Sequence, residues 1–268
     1  MTSGGEGSRA VAIAVLSTVV FFTLLVILIT HAPGWPEVKQ TFFDWGQFKD
    51  SMPEIADAFL LNVKMFCIAE VFILVFALLL AVIRSLPGPV FFPMRALGIA
   101  YADFFRGVPT ILVIALLGFG APALQLKHVP LSTTFWGIVA LVLVYTAYVS
   151  EVYRAGIESV HPSQNAAARS LGLTHAQSLR KVVLPQAVRR VIPPLLNDFI
   201  GLQKDTALVG FLGSVEAFKQ SQIDAAATFN YTPYLAAAVL FVAMTIPLAR
   251  FTDWLVARDR RRRQAAGV

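Results

Sequence analysis

Cysteine is almost absent: Cys67 stands alone in 268 residues, can close no internal disulfide, and sits inside an apolar run where packing is its natural role. Histidine is nearly as scarce. His31, His128, His161 and His175 share no metal-ligand spacing, so no zinc or catalytic metal centre can be assembled from them. A Gly-x4-Gly-Lys-Ser/Thr loop is missing, which removes the usual backbone cradle for nucleotide phosphates. No nucleophile, base and orienting group converge in a loop that excludes water, and an enzyme active site is therefore not expected. Charged residues make up only 14%, against 57% hydrophobic residues and a mean hydropathy of +0.68. That balance excludes a disordered chain and a water-soluble globule. The net charge is +6, but the basic residues are too segregated and too poor in interleaved aromatics for a nucleic-acid surface.

What is present in quantity is apolar sequence in long blocks, at residues 11–30, 58–83, 108–124, 132–149 and 235–256. Several approach the ~20 residues needed to cross hydrocarbon, so an all-α integral membrane protein is expected. The block at 11–30 is too long for a secretory h-region and no clean small-x-small cleavage site follows it. Residues 1–31 therefore read as a short tail and a retained helix. Residues 32–57 carry Pro33 and Pro36, with Phe42, Phe43, Trp45 and Phe48 set among charges, and suit an extracytoplasmic interfacial segment. The main membrane domain is expected over 58–256. Its first span ends at Arg84 and the turn Pro87, Gly88, Pro89; residues 94–124 read as one long or kinked helix weak at Gly107 and Pro109; further crossings follow at 131–149, 192–212 and 234–256. Arg9, Arg84, Arg95, Arg154, Arg169, Arg180, Lys181, Arg189, Arg190, Arg250 and the cluster Arg258 and Arg260 to Arg263 fall on one side of this topology. Only Lys39, Lys49, Lys64, Lys127 and Lys219 fall on the other. Six crossings with both termini in the cytoplasm of a bacterial inner membrane fit that asymmetry, and residues 257–268 form a basic tail suited to anionic lipid.

Residues 151–190 are the longest polar stretch and are expected on the cytoplasmic side. Pro162 and Ser163 open a two-turn helix through Gln164, Asn165, Ala166, Ala167, Ala168 and Arg169, closed by Gly172 as a C-terminal cap. Thr174 and Gln177 form a capping box for a second helix that runs out before Pro185. Helices this short are marginal in water. The pair reads either as a docking knob with an alanine face that another surface can approach, or as a solvated connector.

Gln164, Ala167-Ala168, Gly172 and Val182-x-Leu184-Pro185 resemble the "EAA" signature of permease subunits in binding-protein-dependent ATP-binding-cassette importers. Three further runs resemble its polar-amino-acid branch, the histidine/glutamine permease family: Tyr101-x4-Arg106-Gly107-Val108-Pro109, Glu151 to Ile157, and Leu202 to Val209. The resemblance covers about residues 58–256. It implies a type I importer permease fold of five core helices, to which the first helix is extra, moving polar amino acids by alternating access. It also implies partners: cytoplasmic ATPases that hold ATP and magnesium, a second permease subunit, and an extracytoplasmic binding protein. This chain itself would bind no cofactor. Gln164, Ala166 to Arg169, Gly172, Leu184 and Pro185 are the implied coupling residues. The family's glutamate falls at Ala166 here, so any ion pair it makes with the ATPase is missing.

Ionisable residues inside apolar spans are costly and invite a functional reading. Glu70 should face the bundle, either to meet a solute's ammonium group or to bond a neighbouring helix. Lys204 and Asp205 are adjacent and point about 100° apart on a helix, so their partners lie elsewhere, and Asp198 shares nearly the face of Asp205. With Arg106, Pro109 and Thr206 these are the candidates for pathway or gate. Asp103 and Arg106, spaced i, i+3, are expected to pair locally. A rival class is an ion-gradient-driven transporter or channel with Glu70, Asp198, Lys204 and Asp205 as its relay, but inverted repeats or paired broken helices are not evident.

Overall fold

The computed structural model describes residues 3–86 and 88–265. Pro87 of the expected turn lies outside the described residues, as do the side chains of the tail arginines Arg260, Arg262 and Arg263. The described chain is helical with no strand: α1 Ser3–Thr30, α2 Trp35–Phe42, α3 Trp45–Ser85, α4 Phe92–Gly107, α5 Thr110–Ala123, α6 Thr133–Glu158, α7 Pro162–Ser170, α8 His175–Ser178, a π-helical turn Leu179–Val183, α9 Leu184–Asp205, a 3-10 segment Thr206–Leu212, α10 Ala217–Thr228 and α11 Thr232–Ala265.

Four stretches among the described residues are long and apolar enough to cross a membrane: Arg9–Thr30, Trp35–Ser85, Thr133–Glu158 and Thr232–Arg258. The block expected to begin near residue 58 belongs to a helix that starts at Trp45. Asp44 causes this, because its carboxylate accepts from the Gly46 and Gln47 amides at 2.8 and 3.2 Å and so caps the helix. At 41 residues α3 is about 60 Å long, roughly twice the hydrocarbon thickness.

The weak point expected at Gly107 and Pro109 divides residues 94–124 more sharply than a kink: α4 and α5 meet there at 101°. Val108 is extended, as the residue before a proline prefers, and Pro109 opens α5 with its carbonyl accepting from Leu112. The expected crossing at 192–212 falls on α9 and the 3-10 segment. Unlike the four spans it is not apolar enough to cross by composition, since it carries Asp198, Lys204 and Asp205. It is held inside the bundle against α6 and α11 instead.

Helix α6 is the axis of the bundle and packs against α3, α4, α5 and α9. Met65, Ala69, Ile73 and Ala77 of α3 meet Ala140, Leu141, Val144 and Val149 of α6 in the main core, joined by Ile114, Leu202 and Val209. Small residues set the spacing. A Cβ on Gly137 would lie 2.5 Å from Val209 Cγ1, and one on Gly156 or Gly118 would collide with Val191 or Leu212. Each glycine thus receives a branched side chain from α9 or the 3-10 segment. Helix α1 takes no part: from Arg9 to Thr30 every side chain is exposed. Its apolar surface, 47–72% exposed at most of its large residues, is suited to lipid on all sides.

The Gly156 contact is testable. Gly156→Val should destabilise the folded protein by about 1–3 kcal/mol through overpacking against Val191, read as a lower thermal midpoint in detergent, and Val191→Ala should recover part of the loss. Additive effects of the two changes would show that α6 and α9 do not meet there.

Candidate functional site

Three polar regions interrupt the apolar bundle. The first is the loop below α6. His161 precedes α7 and its Nδ1 accepts from the Ser163 amide at 3.2 Å, with Pro162 at the first helical position, where its missing N–H leaves nothing unsatisfied. At the other end Gly172 adopts φ +84°, the Leu173 amide donates to the Ala168 carbonyl at 3.3 Å, and the Gly172 amide donates to that of Arg169 at 3.0 Å. This is a Schellman cap, the termination read from the sequence. The capping box also forms reciprocally: the Gln177 amide donates to Thr174 Oγ1 at 3.3 Å and the Thr174 amide to Gln177 Oε1 at 2.9 Å. Ser178 Oγ donates to Asn165 Oδ1 at 2.7 Å and ties the two short helices together.

The alanine run does not present one open face. Successive helical residues point about 100° apart; Ala168 is turned inward and buried, while Gln164, Ala166, Ala167 and Arg169 are exposed. The largest apolar group on the outer surface is Leu171, 85% exposed, which the sequence reading passed over. Its position beside a helix-ending glycine was the available signal. Nor does the second helix stop before Pro185. The chain continues through the π-helical turn into α9, with Leu184 exposed and Pro185 just after the π-helical turn, and Gln186 Nε2 donates to the Val182 carbonyl at 3.0 Å. The Arg190 guanidinium donates to the Ser159 carbonyl and closes the loop back onto the end of α6.

The second region is an ion cluster at the same end. Glu151 of α6 lies 2.5 Å from Arg84 of α3, 2.7 Å from Arg154 and 3.8 Å from Arg106 of α4, and Arg154 also reaches Glu158 at 2.6 Å. The local Asp103–Arg106 pair is not formed among the described residues. The bend at Gly107 directs Arg106 toward Glu151, a nearly buried acid shared by three helices, and leaves Asp103 exposed. Beside the bend, Pro109 serves as a backbone corner and contributes no polar side chain.

The third region lies at the opposite end. Asn62 of α3 donates through Nδ2 to Thr206 Oγ1 and Glu216 Oε2, both at 3.0 Å, and its Oδ1 accepts from the Ala217 amide at 3.0 Å. Glu216 also accepts from the Phe218 and Lys219 amides at 2.9 and 2.8 Å and so caps α10. Burial pushes its carboxyl up and these donors pull it back. Thr206 Oγ1 donates to the Gln203 carbonyl at 2.7 Å, and Thr245 Oγ1 of α11 donates to Gln203 Oε1 at 2.9 Å. Thr206 was singled out in the sequence; Asn62 and Glu216 were not. An amide inside an apolar run was the signal for Asn62, whereas nothing local marks Glu216.

Between the two ends stand the remaining candidates. Asp205 accepts from the Tyr145 hydroxyl at 2.9 Å, while its neighbour Lys204 is exposed and forms no ion pair among the described residues. Glu70 is 8% exposed and one of its oxygens has no hydrogen-bond donor; the same holds for one buried oxygen of Asp198. Among the described residues no group of three or more potential ligands could hold a metal.

Comparison with known proteins agrees with this geometry. Residues 65–261 match the family described as the binding-protein-dependent transport system inner membrane component. A probable amino-acid permease protein of Bacillus subtilis, YxeN, is 35% identical over 204 residues, which span 76% of this chain and 90% of the relative. A probable amino-acid ABC transporter permease protein of Vibrio harveyi, PatM, is 31% identical over 217 residues, 81% of this chain and 96% of the relative. Among solved structures, an amino acid ABC transporter crystallised with histidines superposes with a TM-score of 0.73 at 29% identity, covering 80% of this chain and 98% of that one. The MetNI methionine ABC transporter, at 19% identity and a TM-score of 0.60 over 76% of this chain and 95% of its own, shares the fold. By family match and by relatives aligned over most of its length, the chain belongs to the amino-acid ABC transporter permeases and is a membrane-inserted transport subunit of type I importer fold.

Proposed function

We propose that this subunit carries polar amino acids into the cell by alternating access, driven by ATP hydrolysed on separate cytoplasmic ATPases and supplied by an extracytoplasmic binding protein. A second permease subunit, identical or homologous, completes the path. Both termini and the loop of α7 and α8 lie in the cytoplasm, in keeping with the arginines at that end. ATP and magnesium reside on the partner, and this chain contributes the path and a two-state bundle.

The observation that carries the reading is the construction of α7. A nine-residue helix, marginal alone, is capped at both ends and tied to α8, and it presents Leu171 and the methyls of Ala166 and Ala167 outward. An ordinary solvated connector needs no such stiffening. Gln164 and Arg169 flank the methyl surface, Ala168 seats the helix, Gly172 fixes its end, and Leu184 and Pro185 start the rigid continuation into α9. Closure of the ATPases then pushes the lever and, through α9, the helices bearing Glu70, Asp198, Lys204, Asp205 and Thr206, while Arg106 and the Pro109 corner border the path's cytoplasmic mouth.

Three outcomes are expected. In reconstituted vesicles, uptake should require ATP on the ATPase side and added binding protein; uptake driven by a proton or sodium gradient alone would refute the reading. Gly172→Val places a β-branched residue in the left-handed region, costs roughly 1–2 kcal/mol locally, and should separate ATP hydrolysis from uptake or block assembly. Leu171→Asp leaves the fold intact because the side chain is exposed, yet should abolish co-purification of the ATPase; full retention of the ATPase would show that α7 is not the docking surface.

A further inference from the structure

The centre of the bundle holds two acids with no counter-ion among the described residues. Glu70 on α3 is 8% exposed, and its Oε1 is buried with no donor. Asp198 on α9 has Oδ2 in the same condition and lies within electrostatic reach of Glu70. Their juxtaposition is fixed by the neighbouring rings: Phe66, one helical turn before Glu70, packs edge-to-face on Phe199 at 6.1 Å. Tyr153 of α6 is within reach of Glu70's charge and Tyr145 within reach of Asp198's. No described cation acts on either acid.

The Asn62–Glu216 network shows how this chain treats a buried acid that serves the fold, since both oxygens of Glu216 are given donors. The unpaired acids depart from that pattern, each with a buried oxygen that accepts no hydrogen bond. We infer that Glu70 and Asp198 form a subsite for the cationic side chain of a basic amino acid, an ammonium or guanidinium group bordered by the two tyrosines. The inference rests on the amino-acid importer reading above and narrows its substrate class. A neutral zwitterion brings no net charge, and its own carboxylate would have to lie near two like charges. An acidic amino acid adds a further repulsion. A basic amino acid alone brings a net positive charge, and a guanidinium can serve both acids with separate N–H groups while stacking on an aromatic face.

The test uses the full chain co-purified with its ATPase and permease partner in lipid nanodiscs, with L-arginine, L-lysine, L-glutamine and L-glutamate titrated by calorimetry. L-arginine or L-lysine should bind at least roughly tenfold tighter than L-glutamine, with L-glutamate weakest, and Glu70→Gln and Asp198→Asn should each cost about tenfold for the basic ligand while sparing L-glutamine. Equal binding of L-arginine and L-glutamine, no binding of any of the four, or variants that bind L-arginine as tightly as the parent would each overturn the subsite. The ligand ranking of the unaltered chain decides the matter even if a variant fails to assemble. ATP-dependent uptake, measured separately, tells this failure apart from failure of the importer reading: uptake that persists without basic-ligand preference removes the subsite alone.

Discussion

The closeness of α6 to the segment running from α9 into the 3-10 turn governs the rest of the bundle. Helices in hydrocarbon gain nothing from hiding apolar surface from each other, since lipid is equally apolar, so contact must come from dispersion at short range. Gly156, Gly137 and Gly118 provide that range at three heights, and the side chains that fill them are Val191, Val209 and Leu212, all on one continuous stretch of chain. That stretch is therefore seated as a single body along α6 and α5. Its polarity, which falls short of a free-standing membrane span, is tolerated because this seating removes it from lipid.

The same stretch joins the two ends of the molecule. It begins in the π-helical turn that follows α7 and α8, passes Asp198 and Asp205, and ends among Gln203, Thr206 and the Asn62–Glu216 network. At its far end Thr206 and the Gln203 side-chain oxygen are bonded to Asn62 of α3 and Thr245 of α11, whereas Asp198 at its middle keeps a buried oxygen without a donor. In a medium of low dielectric the first condition gives rigidity and the second gives affinity for something absent. A body held at both ends is suited to move as a unit, and Asp198 is the place along it where a proposed ligand would find an unsatisfied acceptor.

Much of this was legible residue by residue wherever the cause was local. Gly172 as a left-handed cap, the Thr174–Gln177 box and the break at Gly107–Pro109 each depend on atoms a few residues apart, and each forms as read. Where the cause lies elsewhere in the chain, the reading stopped or went astray. Arg106 passes over Asp103 for Glu151, forty-five residues on, because the bend after α4 carries it there. Glu216 caps α10 while bonded to Asn62, 154 positions away, a pairing no local pattern contains. The inward turn of Ala168 follows from helix geometry once the seat of α7 is known, but the sequence carries no rotation about the helix axis. The full length of α3 is hidden for a smaller reason: among the charges of residues 32–57 nothing in the sequence distinguishes Asp44, whose carboxylate caps the helix.

Ala166, where the resemblance to the importer signature implies a glutamate, bears on the coupling proposed above. The outer surface of α7 then carries Leu171 and two alanine methyls, with Arg169 beside them and Arg180 and Lys181 exposed nearby, and no carboxylate of its own. A partner that docks here as proposed would draw on apolar contact and shape, supplemented by attraction of these basic groups to any acidic groups it carries. Contacts of the first kind are little affected by salt, while exposed charges more than a Debye length apart, about 8 Å at physiological ionic strength, are largely screened. A coupling helix of the kind proposed would gain from such contacts, since a methyl surface packed at van der Waals distance resists compression, whereas an exposed ion pair yields to water. In the proposed coupling, the stiffness of the capped helix and the apolar character of its tip would serve one requirement, that displacement applied at α7 reach α9 with little lost on the way.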